Sequence, residues 1–338
     1  MSKISGSNTE IRKLAPDEHR LCVRIARLYY ESDLTQERIG DQLGLSRVKV
    51  HRMLRLARDT GILEIRINSD DEATETLGDA LVATLGLRDA MVVPDASSSD
   101  GLIASLAEGA AAWLSGVLRP RMRVGLGLGR TVSRMADRFR TNASIDCTFT
   151  EIEGAAPDST VGFGAYNVVS RMAAIAGARA EFVRAPTFVS NRDLRDRLLR
   201  EPSIAAALDR ARQSDIILQS VGPVSESALL HIHGVLTAED LDELRWRGAV
   251  GDALGHYFGQ WGDHIPFRTD DMHVGLTLDD LTKLPMSALV AGGAEKLASI
   301  RAALRGRYFN VLITNKTTAE TLIADGRAFD DGTELGDG

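Results

Sequence analysis

The sequence predicts an α/β protein in which a small helical head precedes a larger body built on a parallel β-sheet. Two patterns lead to this prediction. Residues 16–58 carry apolar side chains at helical spacing, interrupted by glycine. From about residue 77, short apolar segments of strand length alternate with helical segments, as in a parallel sheet with crossover helices. At 338 residues, the chain is long enough for two domains.

The charge distribution separates the same two regions. The chain contains 40 Lys/Arg and 47 Asp/Glu, which gives a net charge of −7. Residues 1–66 hold 13 of the basic and 9 of the acidic residues, so the head is basic and the body is acidic. This asymmetry predicts a protein that binds DNA through one end only.

Three helices are predicted in the head. The first spans residues 16–30. The second begins after the N-cap Thr35 and ends at Gly44, because a residue without Cβ accepts the left-handed conformation of a sharp exit. The third spans about residues 46–58, with Ser46 as its N-cap.

The third helix is predicted to read DNA. Its apolar face is formed by Val50, Met53, Leu54 and Ala57. Its other face is basic, and residues 46–58 contain no acidic side chain. A capped basic helix held across another helix by a glycine turn is the helix-turn-helix arrangement that enters the major groove. The predicted DNA-binding residues are Thr35, Gln36, Ser46, Arg47, Val48, Lys49, His51, Arg52 and Arg55. The alternative is an amphipathic helical hairpin with a solvated basic face.

Composition suggests the domain boundaries. Alternating residues 62–67 predict a short strand that closes the head at residues 1–67. The acidic stretch 68–76 predicts a linker, residues 77–325 an effector-binding body, and the Gly/Asp-rich residues 326–338 a disordered tail.

The body is predicted to alternate strands and helices. The expected strands cover residues 90–93, 122–127, 145–152, 180–183, 216–219, 288–290 and 311–314. The expected helices cover residues 72–85, 101–118, 131–139, 163–176, 191–212 (two helices), 294–304 and 317–323.

Several classes of protein are disfavoured. Cys22 and Cys147 lie far apart without a CxxC motif, so we expect buried, reduced thiols and neither a disulfide nor a zinc site. His231 and His233 suggest half a metal site on a strand, but no third ligand is evident nearby, and no metal is predicted. The N-terminus lacks a signal peptide and no run of 18 apolar residues occurs. We therefore expect a cytoplasmic protein with no membrane partner.

The segment VGLGLGRT, residues 124–131, is the strongest chemical signal in the body. Gly125, Gly127 and Gly129 let backbone N–H groups approach an anion, Thr131 is expected to cap the following helix, and Arg130 adds a charge. The segment is neither GxGxxG nor a P-loop. Two alternatives are a tight turn without a ligand and a dinucleotide site that uses Glu151 or Glu153 at the end of the next strand.

Two further glycine turns predict ligand contacts. Gly292 and Gly293 join a strand to a helix whose first turn contains Lys296. A cation there opposes the helix dipole, and a bound phosphate would remove the conflict. The segment Gly248–Asp252 is expected to present Asp252 on a loop, where its carboxylate suits sugar hydroxyls or proton transfer; a helix-start Asp is the alternative.

With these motifs, the chain resembles the SorC-type (SorC/DeoR-like) sugar-responsive bacterial transcription regulators. The resemblance rests on the helix-turn-helix, VGLGLGRT, GAVGD at residues 248–252 and the block 290–323, and it covers about residues 20–325. It implies a Rossmann-like parallel-sheet effector domain similar to phosphosugar isomerases and glucosamine-phosphate deaminases. It also implies tetramers and a response to phosphorylated sugars.

The resemblance also assigns effector-binding residues. Those implied to contact phosphate are Gly127, Gly129, Arg130, Thr131, Gly292, Gly293 and Lys296. Asp252 is implied to contact sugar hydroxyls, and Asn167 to line the pocket. One departure is Pro223, which stands where a more regular glycine-rich turn is expected.

The predicted function is control of a carbohydrate or polyol catabolic operon. A homo-oligomer, dimer or tetramer, would bind double-stranded operator DNA, and a small carbohydrate effector would alter that binding without a cofactor or catalytic residues. One alternative is a phosphosugar isomerase or deaminase with an accessory DNA-binding head. Another is a regulator that senses a nicotinamide dinucleotide.

Overall fold

The computed structural model describes residues 16–30, 32, 34–60, 62, 72–141, 143–155 and 165–330. The chain divides into two compact units, Met1–Asp70 and Asp71–Gly338, called the head and the body below. Within the described ranges, none of the helices is both long and apolar enough to span a lipid bilayer.

The head contains the three predicted helices, α1 (Pro16–Tyr30), α2 (Gln36–Leu43) and α3 (Arg47–Asp59). Thr35 and Gly44 bound α2 as expected, with Gly44 in the left-handed conformation at φ +66°. The predicted strand at residues 62–67 lies outside the described residues, apart from Ile62.

The body begins with α4 and β1 and alternates strands and helices as far as β5. These elements are α4 (Glu72–Leu85), β1 (Asp89–Val93), α5 (Ser99–Val117), β2 (Arg123–Leu126), α6 (Arg130–Arg138), β3 (Thr148–Glu151), α7 (Ala165–Ala176), β4 (Arg179–Glu181), α8 (Arg192–Arg200), α9 (Pro202–Arg212) and β5 (Ile216–Gln219). The second part contains β6 (Gly222–Pro223), α10 (Leu229–Ile232), α11 (Ala238–Trp246), β7 (Ala249–Ala253), β8 (His256–Gly259), β9 (His264–Ile265), α12 (Leu278–Thr282), β10 (Met286–Val290), α13 (Leu297–Arg305), β11 (Val311–Asn315) and α14 (Lys316–Asp330). Two 3₁₀ turns lie at Arg268–Asp271 and Ala294–Lys296.

Seven strands form one parallel sheet in the order β1-β11-β10-β5-β2-β3-β4. Helices cover both faces, as expected for a parallel sheet. On β5, the side chains of Ile216 and Leu218 join the core formed with α5, α6 and α7. Ile217 points to the other core, which includes residues of α4, α9, α13 and α14. The predicted α/β architecture is therefore confirmed.

The sequence analysis missed a second sheet, in which four antiparallel strands run in the order β6-β7-β8-β9. Two of its strands have only two residues, too few for an alternating pattern to be visible. Asp252 accordingly lies within β7 and not on a loop or at a helix start, so both predictions for it were wrong. Pro223 is tolerated because β6 is an edge strand of this sheet.

Two predicted boundaries need correction. Residues 72–76 form the first turns of α4, which confirms the helix predicted over residues 72–85, so the linker predicted over residues 68–76 cannot extend past residue 71. Residues 326–330, assigned to the tail, continue α14. The two cysteines are buried and unpaired, as predicted.

Gly125 provides a test of the packing of this sheet. A Cβ at this position would lie 2.5 Å from Ile152 Cγ2 and 2.7 Å from Ile217 Cγ1. We expect Gly125→Ala to destabilise the body by about 1–3 kcal/mol, because overpacking displaces buried side chains. Urea unfolding followed by tryptophan fluorescence measures this, since Trp113, Trp246 and Trp261 all belong to the body.

Gly116→Ala on α5 is the matched control, because a Cβ there meets no atom within 4 Å. It should leave stability unchanged or raise it by up to about 1 kcal/mol through helix propensity. Equal effects of the two substitutions would contradict the packing argument.

Candidate functional site

The predicted reading helix α3 is held by a small apolar core within the head. Its inward side chains Val50, Met53, Leu54 and Ala57 are buried. They pack with Cys22, Ile25 and Ala26 of α1 and Ile39 of α2. The Ser46 Oγ accepts a hydrogen bond from the Lys49 N–H at 3.2 Å, which confirms the predicted N-cap geometry.

The opposite face of α3 is open to solvent. Ser46, Arg47, Val48, Lys49, His51, Arg52 and Arg55 are exposed, and so is Thr35, whereas Gln36 is half-buried. Val48 is 78% exposed, so its side chain is accessible to a partner. Gly40, which the sequence analysis did not single out, permits the tight turn because a Cβ there would lie 2.6 Å from the Leu45 carbonyl oxygen.

The main cavity of the body, of about 330 Å³, lies at the carboxyl ends of β2, β5 and β10. After β2 the chain continues to β3 on one side, and after β5 it proceeds toward β10 on the other. Open parallel sheets bind ligands at such a switch point, where the connections diverge. Seven predicted effector-binding residues line this cavity: Gly129, Arg130, Thr131, Asp252, Gly292, Gly293 and Lys296.

The N-terminus of α6 opens into the cavity. Gly129, at φ +152°, is the N-cap residue, so the prediction that Thr131 caps this helix was wrong; Thr131 is buried in its first turn. Gly129 provides no side-chain cap. Because the first N–H groups of a helix lack intrahelical acceptors, this end of α6 favours an anion.

Two cations lie beside this helix end. Arg130 is exposed, and half-buried Lys296 donates from Nζ to the neutral Ser220 Oγ at 3.1 Å. Burial, together with the nearby Arg130 charge, lowers the pKa of Lys296 to about 8, although Asp252 partly offsets this. Lys296 is the N-cap residue of α13, so it lies just before the helix turn in which it was predicted.

Asp252 provides a carboxylate in the lining of the same cavity. It is 9% exposed, and its Oδ2 accepts a hydrogen bond from the Gly255 N–H at 3.2 Å. Burial raises the pKa of the Asp252 carboxyl to about 6. Gly222 lies against this side chain, because a Cβ there would be 2.3 Å from Asp252 Oδ1. The carboxylate is thus fixed and able to accept hydrogen bonds from hydroxyl groups.

Two cavity residues were missed as effector contacts. Glu153, considered only for a dinucleotide, is buried and accepts a hydrogen bond from the Leu128 N–H at 2.9 Å. Gln219 ends β5 and is buried, and its Oε1 has no hydrogen-bond partner among the described residues. A polar residue that ends a central apolar strand was the available sequence signal.

Gly125 and Gly127 do not contact an anion as predicted. Gly125 lies within β2 in the core. Gly127 donates its N–H to the Leu218 carbonyl oxygen at 3.0 Å, and a Cβ there would be 2.1 Å from Gln219 Oε1. Both positions require glycine because neighbouring protein side chains occupy the space.

The Gly292–Gly293 turn is held by a polar network. The Gly293 N–H donates to Asn315 Oδ1 at 3.1 Å and to Thr318 Oγ1 at 3.0 Å, so this group is already satisfied by the protein. The neighbouring Thr317 donates a separate hydrogen bond from Oγ1 to Asp95 Oδ2 at 2.6 Å. The Gly293 N–H is thus already bonded within the protein, and the predicted phosphate contact of this residue, which lines the cavity, stays a prediction.

Three remaining predictions concern residues outside this geometry. Asn167 belongs to α7, but its side chain lies outside the described part of the chain, so its role stays a prediction. His231 lies in α10 and His233 is its C-cap, so the strand predicted for them was wrong. Glu151 Oε2 accepts a hydrogen bond from the Val183 N–H at 2.8 Å, and burial raises the pKa of this carboxyl to about 7; Glu151 does not line the cavity, whereas Glu153 does.

Comparisons with known proteins agree with this arrangement. A family model described as "Putative sugar-binding domain" matches residues 70–324. The deoxyribonucleoside regulator of Bacillus subtilis (strain 168) is 29% identical over 313 residues, covering 91% of this chain and 99% of that protein. The transcriptional regulator LsrR of Enterobacter sp. (strain 638) is 32% identical over 320 residues, covering 92% and 95% respectively.

A solved structure shares the whole architecture. The full-length sorbitol operon regulator SorC from Klebsiella pneumoniae superimposes with a TM-score of 0.68 at 26% identity, covering 91% of this chain and 99% of that one. The resemblance predicted from the motifs is thereby confirmed. The chain belongs to the SorC-type family of sugar-responsive transcriptional regulators, which place a DNA-binding domain before a sugar-binding domain.

Proposed function

We propose that this regulator controls a carbohydrate or polyol catabolic operon and that its effector is a small phosphorylated sugar. The observation that carries the proposal is the convergence of the α6 N-terminus, Arg130, Lys296 and Asp252 in one cavity. A phosphate would neutralise the two cations and accept hydrogen bonds from the N–H groups at the uncapped start of α6. Asp252 would accept hydrogen bonds from the sugar hydroxyls.

The size of the cavity supports a monosaccharide effector. At about 330 Å³, it is near the lower end of the range of about 300–1,000 Å³ for ligand pockets. A dinucleotide requires more room, and Glu151 does not line the cavity. A thermal-shift panel of sugar phosphates, free polyols and NAD(H) identifies the effector class, because selective binding raises the melting temperature.

The head supplies the DNA contacts in this proposal. The N-terminal end of α3 would meet base edges, and the flanking cations would meet phosphates. A symmetric dimer or tetramer would place two such helices on half-sites about one helical turn apart, or a multiple of that. Binding to DNA implies that the protein acts in the cytoplasm.

Arg52→Ala tests base recognition by α3. If Arg52 reads a base, the variant should bind an in vitro selected operator about 5- to 150-fold more weakly, with a smaller loss on random DNA. Fluorescence anisotropy at several salt concentrations measures both affinities. Arg200→Ala, at an exposed arginine of α8, is the control and should bind as wild type does. Equal losses of Arg52→Ala on both DNAs would make Arg52 a phosphate contact only.

The pKa of Lys296 gives a pH-dependent prediction. A phosphate requires protonated Lys296, whose pKa in the free protein is about 8. The affinity for a sugar phosphate should thus change little from pH 7 to about 8, where Asp252 and the phosphate are already ionised, and fall by up to about tenfold per pH unit at higher pH. Calorimetry between pH 7 and 9.5 measures this change.

Lys296→Arg is the matched variant, because a guanidinium stays charged across that range. Its affinity should be independent of pH from 7 to 9.5. The same decline in both proteins would place Lys296 outside the phosphate site. Lys296→Ala should retain DNA binding and lose the effector response.

We propose that a conformational change caused by effector binding is transmitted to the head through α14 and α4. The Gly292–Gly293 turn is bonded to Thr318 in the first turn of α14. Farther along α14, Gly326 lies so close to α4 that a Cβ would be 2.4 Å from Thr84 Cγ2. Arg301 of α13 pairs with Asp325 beside it. The helix α4 is the first element of the body after the head in sequence. A shift of α14 would therefore displace the element through which the body is connected to the head.

Gly326→Ala tests this coupling. The added methyl should separate α14 from α4, leaving effector affinity within about twofold of wild type while reducing the effector-induced change in operator affinity. That change is expected to be about 5- to 150-fold in wild type. Anisotropy with and without effector measures it. Gly116→Ala should behave as wild type, and full coupling in Gly326→Ala would exclude the α14–α4 contact.

The enzymatic alternative has one observation in its favour. Asp252 and Lys296 line the same cavity with pKa values of about 6 and 8, which suit proton transfer near neutral pH. Turnover of aldose or amino-sugar phosphates by the purified protein would support this alternative. Binding without turnover supports regulation alone.

A further inference from the structure

Two histidines of the antiparallel sheet point to the same face. His256 begins β8 and Phe258 lies two residues later, so their side chains share one face of the strand. Phe258 pairs with His264 on β9. The rings of His256 and His264 therefore approach each other, with centroids 6.1 Å apart.

The carboxylate of Asp270 lies between these two rings. Its Oδ1 is hydrogen-bonded to His256 Nδ1, and its Oδ2 is 3.1 Å from His264 Nε2. The three donor atoms all lie within 4.8 Å of one another. The Phe267 N–H donates a hydrogen bond to Asp270 Oδ2 at 2.9 Å, and Arg195 Nη1 donates one to the Asp270 carbonyl oxygen. The carboxylate is consequently fixed by the 3₁₀ turn that follows β9.

We propose that His256, His264 and Asp270 bind Zn²⁺. Imidazole nitrogen and carboxylate oxygen are both preferred zinc ligands, at about 2.0–2.2 Å from the ion. Donors at that distance around one tetrahedral ion lie about 3–3.5 Å apart, so small side-chain rotations suffice. The ion would take the place of the His256 Nδ1 proton, and that proton would pass through solvent to Nε2, so that the neutral ring coordinates through Nδ1 and the Asp270 carboxylate binds the ion directly.

Exposure and hydrogen bonding fit an exchangeable ion. The His264 side chain is 43% exposed, which provides an entry path and room for a water as fourth ligand. His256 is buried, and its Nε2 has no hydrogen-bond partner among the described residues. Nε2 is therefore free to take up the ring proton when Nδ1 coordinates the ion.

The site is separate from the effector cavity, because none of its three residues lines that cavity. His273 connects the proposed zinc site to the effector cavity. Its ring centroid lies 5.0 Å from that of His256, and its Nε2 is 3.4 Å from Oε2 of the cavity residue Glu153. The sequence analysis predicted no metal because the three ligands are spread over residues 256–270 without a recognised spacing motif.

Calorimetric titration of ZnCl₂ into metal-free full-length protein tests the site. Wild type should bind one equivalent per chain, and Co²⁺ should give the visible absorption bands of tetrahedral coordination. His264→Ala should weaken zinc binding at least about tenfold. Because this side chain is largely exposed, the substitution should not unfold the protein, which circular dichroism verifies.

His19→Ala is the matched control, since His19 is exposed on α1 in the head, away from the three ligands in sequence. It should bind zinc as wild type does. Absence of zinc binding by wild type, or equal affinity in wild type, His264→Ala and His19→Ala, would overturn the proposal. In that case the three side chains form a hydrogen-bonded network only.

Discussion

The position of the cavity in the body depends on the pairing of β2 with β5, which places the carboxyl ends of these two strands side by side. Their connections diverge to opposite sides of the sheet, and the cavity lies between them. Gly127 lets β2 approach Gln219 at the end of β5 without a Cβ between them. Any larger residue at position 127 would displace Gln219 and, with it, the floor of the cavity.

The electrostatics of this crevice favour an anionic ligand. Lys296 is desolvated beside Arg130, and the free protein compensates with only a neutral Ser220 hydroxyl and the partial attraction of Asp252. Holding like charges together raises the free energy of the empty site. A ligand that is negative at one end and hydroxylated at the other relieves this cost, and that differential binding energy is what an effector can use to shift a conformational equilibrium.

Sequence patterns predicted the head well because α2 and α3 carry their own caps, a glycine turn joins them, and their apolar residues follow helical spacing. The parallel strands were also predictable, since β5 and β11 each begin with three consecutive apolar residues. The antiparallel sheet was not, because β6 and β9 are fixed by tertiary pairing and not by local pattern. Glycines gave a mixed signal. Gly129 opens the anion-favouring helix end, but Gly125 and Gly127 only make room for neighbours, and spacing alone does not distinguish these roles.

Thermodynamic linkage between the two ligands is the most direct test of the account. The sugar phosphate affinity would be measured by calorimetry on free full-length protein and on protein saturated with operator DNA. The account predicts that the two affinities differ by about 5- to 150-fold, and by the same factor as the operator affinities measured with and without sugar phosphate. The unphosphorylated sugar should produce no such difference. Equal sugar phosphate affinities in the two states would contradict the central claim that the cavity controls DNA binding.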